Sequence, residues 1–250
     1  MKKILFRFLL LTRQRVAFTL LLLYWPAIFI LTHIFLPQSI LTQMRASDKA
    51  LHFLVYFILI ILLWFSISPA KKANIKSKKV WFILLLLVIY AAIDEWLQGL
   101  CAGRTRDFMD FVSNVEGIGA GFVLICLFPF RPAVLLATGA AILVFTSAVR
   151  IQFTGPLAFI RPLFLFSSFG FFTFIWCEFL TFYQPVNQSR LKWVIASGAL
   201  PFALIAAVKI LAKFTGRAFE LEDFILSSLA ILTVIAITYF IKKQFRNPKS

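Results

Sequence analysis

Acidic residues are scarce in this chain: ten Asp and Glu stand against twenty-six Lys and Arg, with only two histidines. Charged residues of both signs make up 14% of the sequence and apolar ones 61%. With a mean hydropathy of +0.92, that balance excludes an ordinary water-soluble domain, since one core cannot hide so much apolar surface. Cysteine is also sparse. Cys101, Cys126 and Cys177 form neither a CxxC pair nor an even-numbered framework, which argues against a disulfide scaffold or a thiolate metal site. No GxSxG, HExxH or Walker loop occurs. No stretch alternates with period two, so a membrane barrel is excluded in favour of helices.

What the chain has is hydrocarbon in long runs. Eight apolar stretches, near 16–36, 50–68, 80–99, 111–130, 132–149, 162–182, 192–213 and 223–242, lie between polar breaks. Crossing a bilayer takes roughly 20 such residues. The expected fold is therefore all-α, a polytopic transmembrane bundle of about eight helices surrounded by membrane lipids. The net charge of +16 does not imply a nucleic-acid partner, because the basic residues fall in short clusters between spans rather than along one face. The start, "MKKILFRFLLLTRQR", is basic like a signal peptide, but Arg7 interrupts its apolar part and no small-residue cleavage site follows, so it is expected to be retained.

With the N-terminus in the cytoplasm, the loops and tails on that side collect seventeen Lys and Arg, including "KKANIKSKK", and the opposite side eight. This bias predicts cytoplasmic N- and C-termini. Nine of the ten acids then fall on the far side, Glu178 being the exception.

A shift of 113 residues aligns the four leading spans with the four trailing ones, as expected for a parallel repeat. It lays Gly103-Arg104 on Gly216-Arg217, Asp107 on Glu220 and Asp110-Phe111 on Asp223-Phe224. Two four-helix modules, 1–130 and 131–250, follow from it. The trailing copy replaces His52 by Leu165, Tyr56 by Phe169, Asp94 by Ala207, Glu95 by Val208 and Gln98 by Leu211. A working site is thus expected in the leading module.

Half of the acids lie in residues 94–117, "DEWLQGLCAGRTRDFMDFVSNVEG". Helical phase sorts them. Asp48, His52 and Tyr56 share an arc of about 80° at 100° per residue. Tyr90, Asp94 and Gln98 share a face with Glu95 at its edge, and Asp107, Asp110, Asn114, Gly117 and Gly121 share another. Glu116 points the opposite way. A carboxylate within hydrocarbon costs roughly 2.5–3.5 kcal/mol, so these stripes turn toward each other or toward a wet cavity. Gly117 and Gly121 permit close helix approach, and Arg104 and Arg106 are available to answer the carboxylates. The cluster suits a clamp between helices, the holding of a polar headgroup, or acid–base chemistry. In the last case, histidine exchanges a proton near neutral pH and Asp94 and Glu95 share one. A lone histidine among carboxylates is a weak metal signal, and no metal or cofactor is assigned. His33, at the outer end of the first span, reads as an interfacial residue.

"SDKALHFLVY" followed by "YAAIDEWLQGLCAGRTRDFMDFVSNVEGIGAG" resembles the VanZ-like family, named for a teicoplanin-resistance membrane protein. The family pattern DK-x-x-H-x-x-x-Y is met by Asp48, Lys49, His52 and Tyr56, and E-x-x-Q by Glu95 and Gln98, preceded by Asp94. The pattern G-R-x-x-D-x-x-D-x-x-x-N-x-x-G is met by Gly103, Arg104, Asp107, Asp110, Asn114 and Gly117. Arg106 departs from it, standing where family members often carry Ser or Ala. The resemblance covers about residues 16–130. It implies a four-helix module in the bacterial cytoplasmic (inner) membrane and a cell-envelope role of the glycopeptide-resistance type, without a settled reaction. His52, Asp94, Glu95 and Asp110 are the candidates for chemistry; Asp48, Lys49, Tyr56, Gln98, Arg104, Asp107 and Asn114 for ligand binding; Gly103, Gly117 and Gly121 for structure. Three functions stay open: an envelope factor holding a lipid-linked glycan or glycopeptide, a membrane enzyme acting on such a lipid, and a transporter, which the parallel repeat motivates. A reporter fused after Cys101 is expected to read extracytoplasmic; a cytoplasmic signal there would overturn the orientation.

Overall fold

A computed structural model of the protein describes residues 2–33, 44–46, 48–69, 71–101, 106–151, 159–183, 190–216 and 219–246. Among them are eight helices: α1 (Lys2–His33), α2 (Asp48–Ile67), α3 (Lys78–Gln98), α4 (Phe108–Leu127), α5 (Phe130–Ala148), α6 (Ile160–Tyr183), α7 (Arg190–Phe214) and α8 (Leu221–Arg246). Two three-residue strands, β1 (Met44–Ala46) and β2 (Val149–Ile151), pair with each other and were not foreseen. α2, α3, α4, α6, α7 and α8 are each long and apolar enough to cross a membrane, which makes this a multi-pass membrane protein. The apolar segments of α1 and α5, Gln14–Ile30 and Phe130–Thr146, are shorter. α1 begins well before its expected edge, and α8 runs past Ile241 to Arg246. A lysine or arginine ends a hydropathy run but is a good helix former, so the helix outlasts the apolar pattern.

The surface shows which solvent the fold is built for. α3 exposes Trp81, Phe82, Leu85, Ile89, Ile93 and Trp96 while it buries Asp94, Glu95 and Gln98. In water that arrangement would be inside out. In hydrocarbon it is the stable one, because backbone and carboxylates find partners only inside the protein.

The chain divides into two compact units, Met1–Thr42 with Ala46–Val134, and Gln43–Arg45 with Leu135–Ser250. In the first, α2 is the most enclosed span and packs against α1 and α4, while α3 packs against α4. Tyr56, Leu59, Ile60 and Phe65 of α2, Leu87 and Ala91 of α3, and Ile118 and Ile125 of α4 are almost wholly buried. The Tyr24 hydroxyl of α1 donates to the Val55 carbonyl at 3.0 Å. At the end that carries the basic loop, Trp64 Nε1 donates to the Lys71 carbonyl at 2.9 Å and the Ala73 amide to the Ile125 carbonyl at 2.9 Å.

The α2–α4 contact is closest at two glycines. A β-carbon on Gly117 would fall on the Phe53 carbonyl oxygen, and one on Gly121 on Ile60 and the Phe57 carbonyl. Backbone thus lies against backbone along one turn of each helix, the geometry that small residues four apart permit. In the second unit, α6 packs against α7 and α8 around Phe169, Phe172, Cys177, Ile205, Val208 and Ile231. Arg161, at the start of α6, pairs with Asp223 in the first turn of α8. Cys101, Cys126 and Cys177 are free thiols. Glu178 and Lys209 both lie on the exposed surface of their helices.

Gly117→Ala is expected to lower stability by about 1–3 kcal/mol, the usual effect of overpacking. Gly119, whose β-carbon would meet nothing within 4 Å, provides the control. Gly119→Ala should be neutral or stabilising by up to about 1 kcal/mol through helix propensity. Thermal unfolding of the two purified variants in detergent separates these outcomes.

Candidate functional site

Four helix ends meet at one end of the first unit: the last turn of α1, the first two turns of α2, the last turn of α3 and the start of α4. Local signals fix the last two. Asp107 caps α4, accepting from the Met109 amide at 2.8 Å, so the helix starts at Phe108 rather than near residue 111. Asp110 in the first turn faces the positive end of the helix dipole. α3 closes at Gly99, whose amide donates to the Glu95 carbonyl at 3.2 Å.

Across the α2–α4 seam, His52 Nδ1 and Asn114 Oδ1 lie 3.0 Å apart, both buried. A carbonyl oxygen only accepts, so this ring nitrogen carries the proton and donates. His52 Nε2 then stands 3.8 Å from Asp110 Oδ2. The other Asp110 oxygen lies 3.5 Å from Lys49 Nζ, and Lys49 also reaches Asp107 Oδ2 at 2.9 Å. Lys49 and Asp107 are about half exposed and Asp110 is not, so the pair lies at the mouth and the histidine at the floor. From α3, Glu95 Oε1 accepts the Asp107 backbone amide at 2.9 Å, joining the end of α3 to the start of α4. Glu95 is 7% exposed, and its Oε2 has no hydrogen-bond partner among the described residues.

Asp94 belongs to a second, adjoining group. Its Oδ2 accepts from Gln98 Nε2 at 3.0 Å, and its Oδ1 faces His33 Nε2 at 4.0 Å. The Tyr56 and Tyr90 hydroxyls are buried beside it, and their rings lie 6.0 Å apart. Asp94 and Glu95 therefore face different partners, because consecutive helical residues diverge by about 100°.

Of the residues singled out from sequence, His52, Tyr56, Asp94, Glu95, Gln98, Asp110 and Asn114 are all buried at this end. Lys49 and Asp107 form its mouth, and Gly117 and Gly121 its seam. Asp48 opens α2, but its side chain lies outside the described residues, as do Gly103 and Arg104 altogether. Glu116 is exposed, as its phase requires.

Two assignments change. Arg106 was expected to answer the carboxylates. Its guanidinium instead lies over the Trp96 ring, 5.8 Å from the centroid, with its stem against Gly99. Stacking on an indole leaves the charge at the surface without desolvating it. His33, taken as interfacial, turns inward. Its ring stacks on Phe29, its Nδ1 donates to the Phe29 carbonyl at 2.8 Å, and its Nε2 faces Asp94. Helical phase could not have found it, since its partner is on another helix and no polar stripe leads to it along α1.

The chain matches no family model, no curated protein and no solved structure.

The mouth has a definite pH response. Asp107 lies outside the spans, and its carboxyl is held below the usual range, first by the hydrogen bond from Lys49 and then by that from the Met109 amide. A depressed carboxyl stabilises the fold above its unfolded value, about 3.9, and that contribution disappears as pH falls through the lower folded value. Acid unfolding of Asp107→Asn, followed below about pH 4, should accordingly be less pH-dependent than that of the wild-type chain. Parallel curves would show that the bridge carries no such linkage.

Proposed function

We propose that this protein is a VanZ-like integral membrane factor of the bacterial cell envelope. Its polar cluster binds the headgroup of a lipid-linked glycan, or a glycopeptide, at the extracytoplasmic face of the cytoplasmic membrane. The observation that carries the reading is the burial of His52, Glu95, Asp110 and Asn114 behind an exposed Lys49–Asp107 pair. A clamp needs donors and acceptors to be mutually satisfied, because an orphaned buried polar atom costs about 1–3 kcal/mol. Here Glu95 Oε2 and Asn114 Nδ2 find no hydrogen-bond partner among the described residues. Those two atoms offer an acceptor and a donor suited to hydroxyl, amide and phosphate groups.

The second unit is read as a degenerate copy of the first. α4 and α8 begin 113 residues apart, at Phe108 and Leu221. Lys49–Asp110 and Arg161–Asp223 each join the second and fourth helices of a four-helix set, Arg161 standing in the place of Asp48. A further correspondence lies in the seam. Gly121 faces Phe57 and Ile60 in one unit, while Gly170, in the place of Phe57, faces Val234, in the place of Gly121, in the other. The small residue has changed sides. Leu165, Phe169 and Val208, in the places of His52, Tyr56 and Glu95, are buried core residues there. Such a copy supports the fold and leaves binding to the first unit.

A second reading is a membrane enzyme doing acid–base chemistry on the same lipid. It is favoured by His52, whose Nδ1 is held by Asn114 while Nε2 looks onto Asp110. Such a ring is oriented as a general base requires.

Glu95→Gln, His52→Asn and Asp110→Asn, purified as stable protein, separate the readings. With teicoplanin or a lipid-linked glycan as probe, a binding factor should lose affinity tenfold or more in each variant and release no product in any. Retained binding with collapsed turnover would establish the enzyme. Binding unchanged in all three, with no product from the wild type, would defeat both.

A further inference from the structure

The His52, Glu95 and Asp110 side chains come from three different helices, and each brings one candidate ligand atom within 4.8 Å of the others. All three are buried. The sequence spacing assigned no metal here, because 43 residues separate His52 from Glu95 and 15 separate Glu95 from Asp110. Neither is a ligand interval that a helix or turn would produce.

We propose that these three residues hold a divalent transition-metal ion of the zinc or manganese(II) class. The claim goes beyond headgroup binding and does not depend on it. Its first support is an atom in need of a cation: Glu95 Oε2, on a side chain more than nine-tenths buried, has no hydrogen-bond partner among the described residues. A carboxylate oxygen in a low-dielectric site must be answered by a proton, a donor or an ion.

The second support is the way the remaining atoms are used. Each candidate ligand has one atom engaged by an outer partner. His52 Nδ1 donates to Asn114 Oδ1, Glu95 Oε1 accepts the Asp107 amide, and Asp110 Oδ1 faces Lys49. Metal-binding side chains are oriented in this manner, the outer hydrogen bond fixing the tautomer and rotamer of the inner atom. For His52 it turns Nε2 toward Asp110 Oδ2, at 3.8 Å. That separation is long for a hydrogen bond. Two ligands at about 2.1 Å from a tetrahedral ion stand roughly 3.4 Å apart, so this pair has to close by about 0.4 Å. All three ligand atoms lie within 4.8 Å of one another, so side-chain rotation must close the pairs by up to roughly 1.4 Å to reach tetrahedral spacing.

The third support is charge. Asp94, Glu95, Asp107 and Asp110 gather four carboxylates at this end, against the single ammonium of Lys49 among the described residues in contact with them. A divalent cation offsets that excess at its buried side, where Lys49 does not reach. Donor chemistry selects its class. One imidazole with two carboxylates suits zinc or manganese(II), whereas calcium and magnesium prefer all-oxygen shells. Three protein ligands also leave an open coordination position, as in catalytic rather than structural zinc sites.

The metal alone is the probe. Chelator-stripped protein in detergent should take up one equivalent of Zn²⁺ in competition with a chromophoric chelator. Glu95→Gln and His52→Asn should each weaken uptake tenfold or more, while Glu116→Gln, on the opposite face of α4, should leave it unchanged. Should the two site variants fail to fold, pulsed electron paramagnetic resonance of the Mn(II)-loaded wild-type chain decides, with coupling to a single imidazole nitrogen expected. Less than stoichiometric uptake by the wild type, undiminished uptake in both site variants, or a spectrum without nitrogen coupling would overturn the proposal. None of these readouts uses a glycan or glycopeptide, so its failure is distinguishable from failure of the headgroup reading.

Discussion

The seam between α2 and α4 is the contact on which the rest of the first unit depends. Gly117 lets the backbone of α4 lie against the Phe53 carbonyl, and Gly121 does the same at Phe57 one turn further on. That spacing sets the register of the two helices. One turn toward the polar end it brings Asn114 to His52, and another turn on it brings Asp110 to Lys49. A side chain at Gly117 would push the helices apart over the same stretch that carries these pairs.

Medium and cluster explain one another. In a bundle whose outer face is Phe, Leu, Ile and Trp, a polar side chain is satisfied inside the protein or at the membrane boundary. Lys49 and Asp107 take the boundary, while His52, Asp94, Glu95, Asp110 and Asn114 take the interior. Low dielectric strengthens each pairing and raises the cost of each omission. Glu95 Oε2, without a hydrogen-bond partner among the described residues, is therefore more informative than the satisfied hydrogen bonds around it. In the second unit Leu165, Phe169 and Val208 belong to the buried apolar core.

Much of this was legible in one dimension. Hydropathy identified the helices, and helical phase separated Asp110 and Asn114 from Glu116 and put Gly117 and Gly121 on the same face as the acids. These are properties of single helices at 3.6 residues per turn. The misses are of another kind. Arg106 is close in sequence to Asp107 and Asp110, yet it finds the Trp96 ring, because an indole at the surface competes well for a guanidinium that need not be desolvated. His33 carries no stripe around it and joins the site only because the end of α1 lies beside Asp94. Asp94 and Glu95, adjacent in sequence, divide between two groups.

The sequence by itself determined the solvent, the helices and the polar face of each one, because transfer free energy and helical periodicity act on neighbours along the chain. Only the tertiary structure decided which faces meet, that Lys49 rather than Arg106 is the cation beside Asp107 and Asp110, and that His52, Glu95 and Asp110 converge to within 4.8 Å of one another. The physical reason is that convergence depends on how closely helices approach and in what register. Those quantities belong to contacts between residues far apart in sequence.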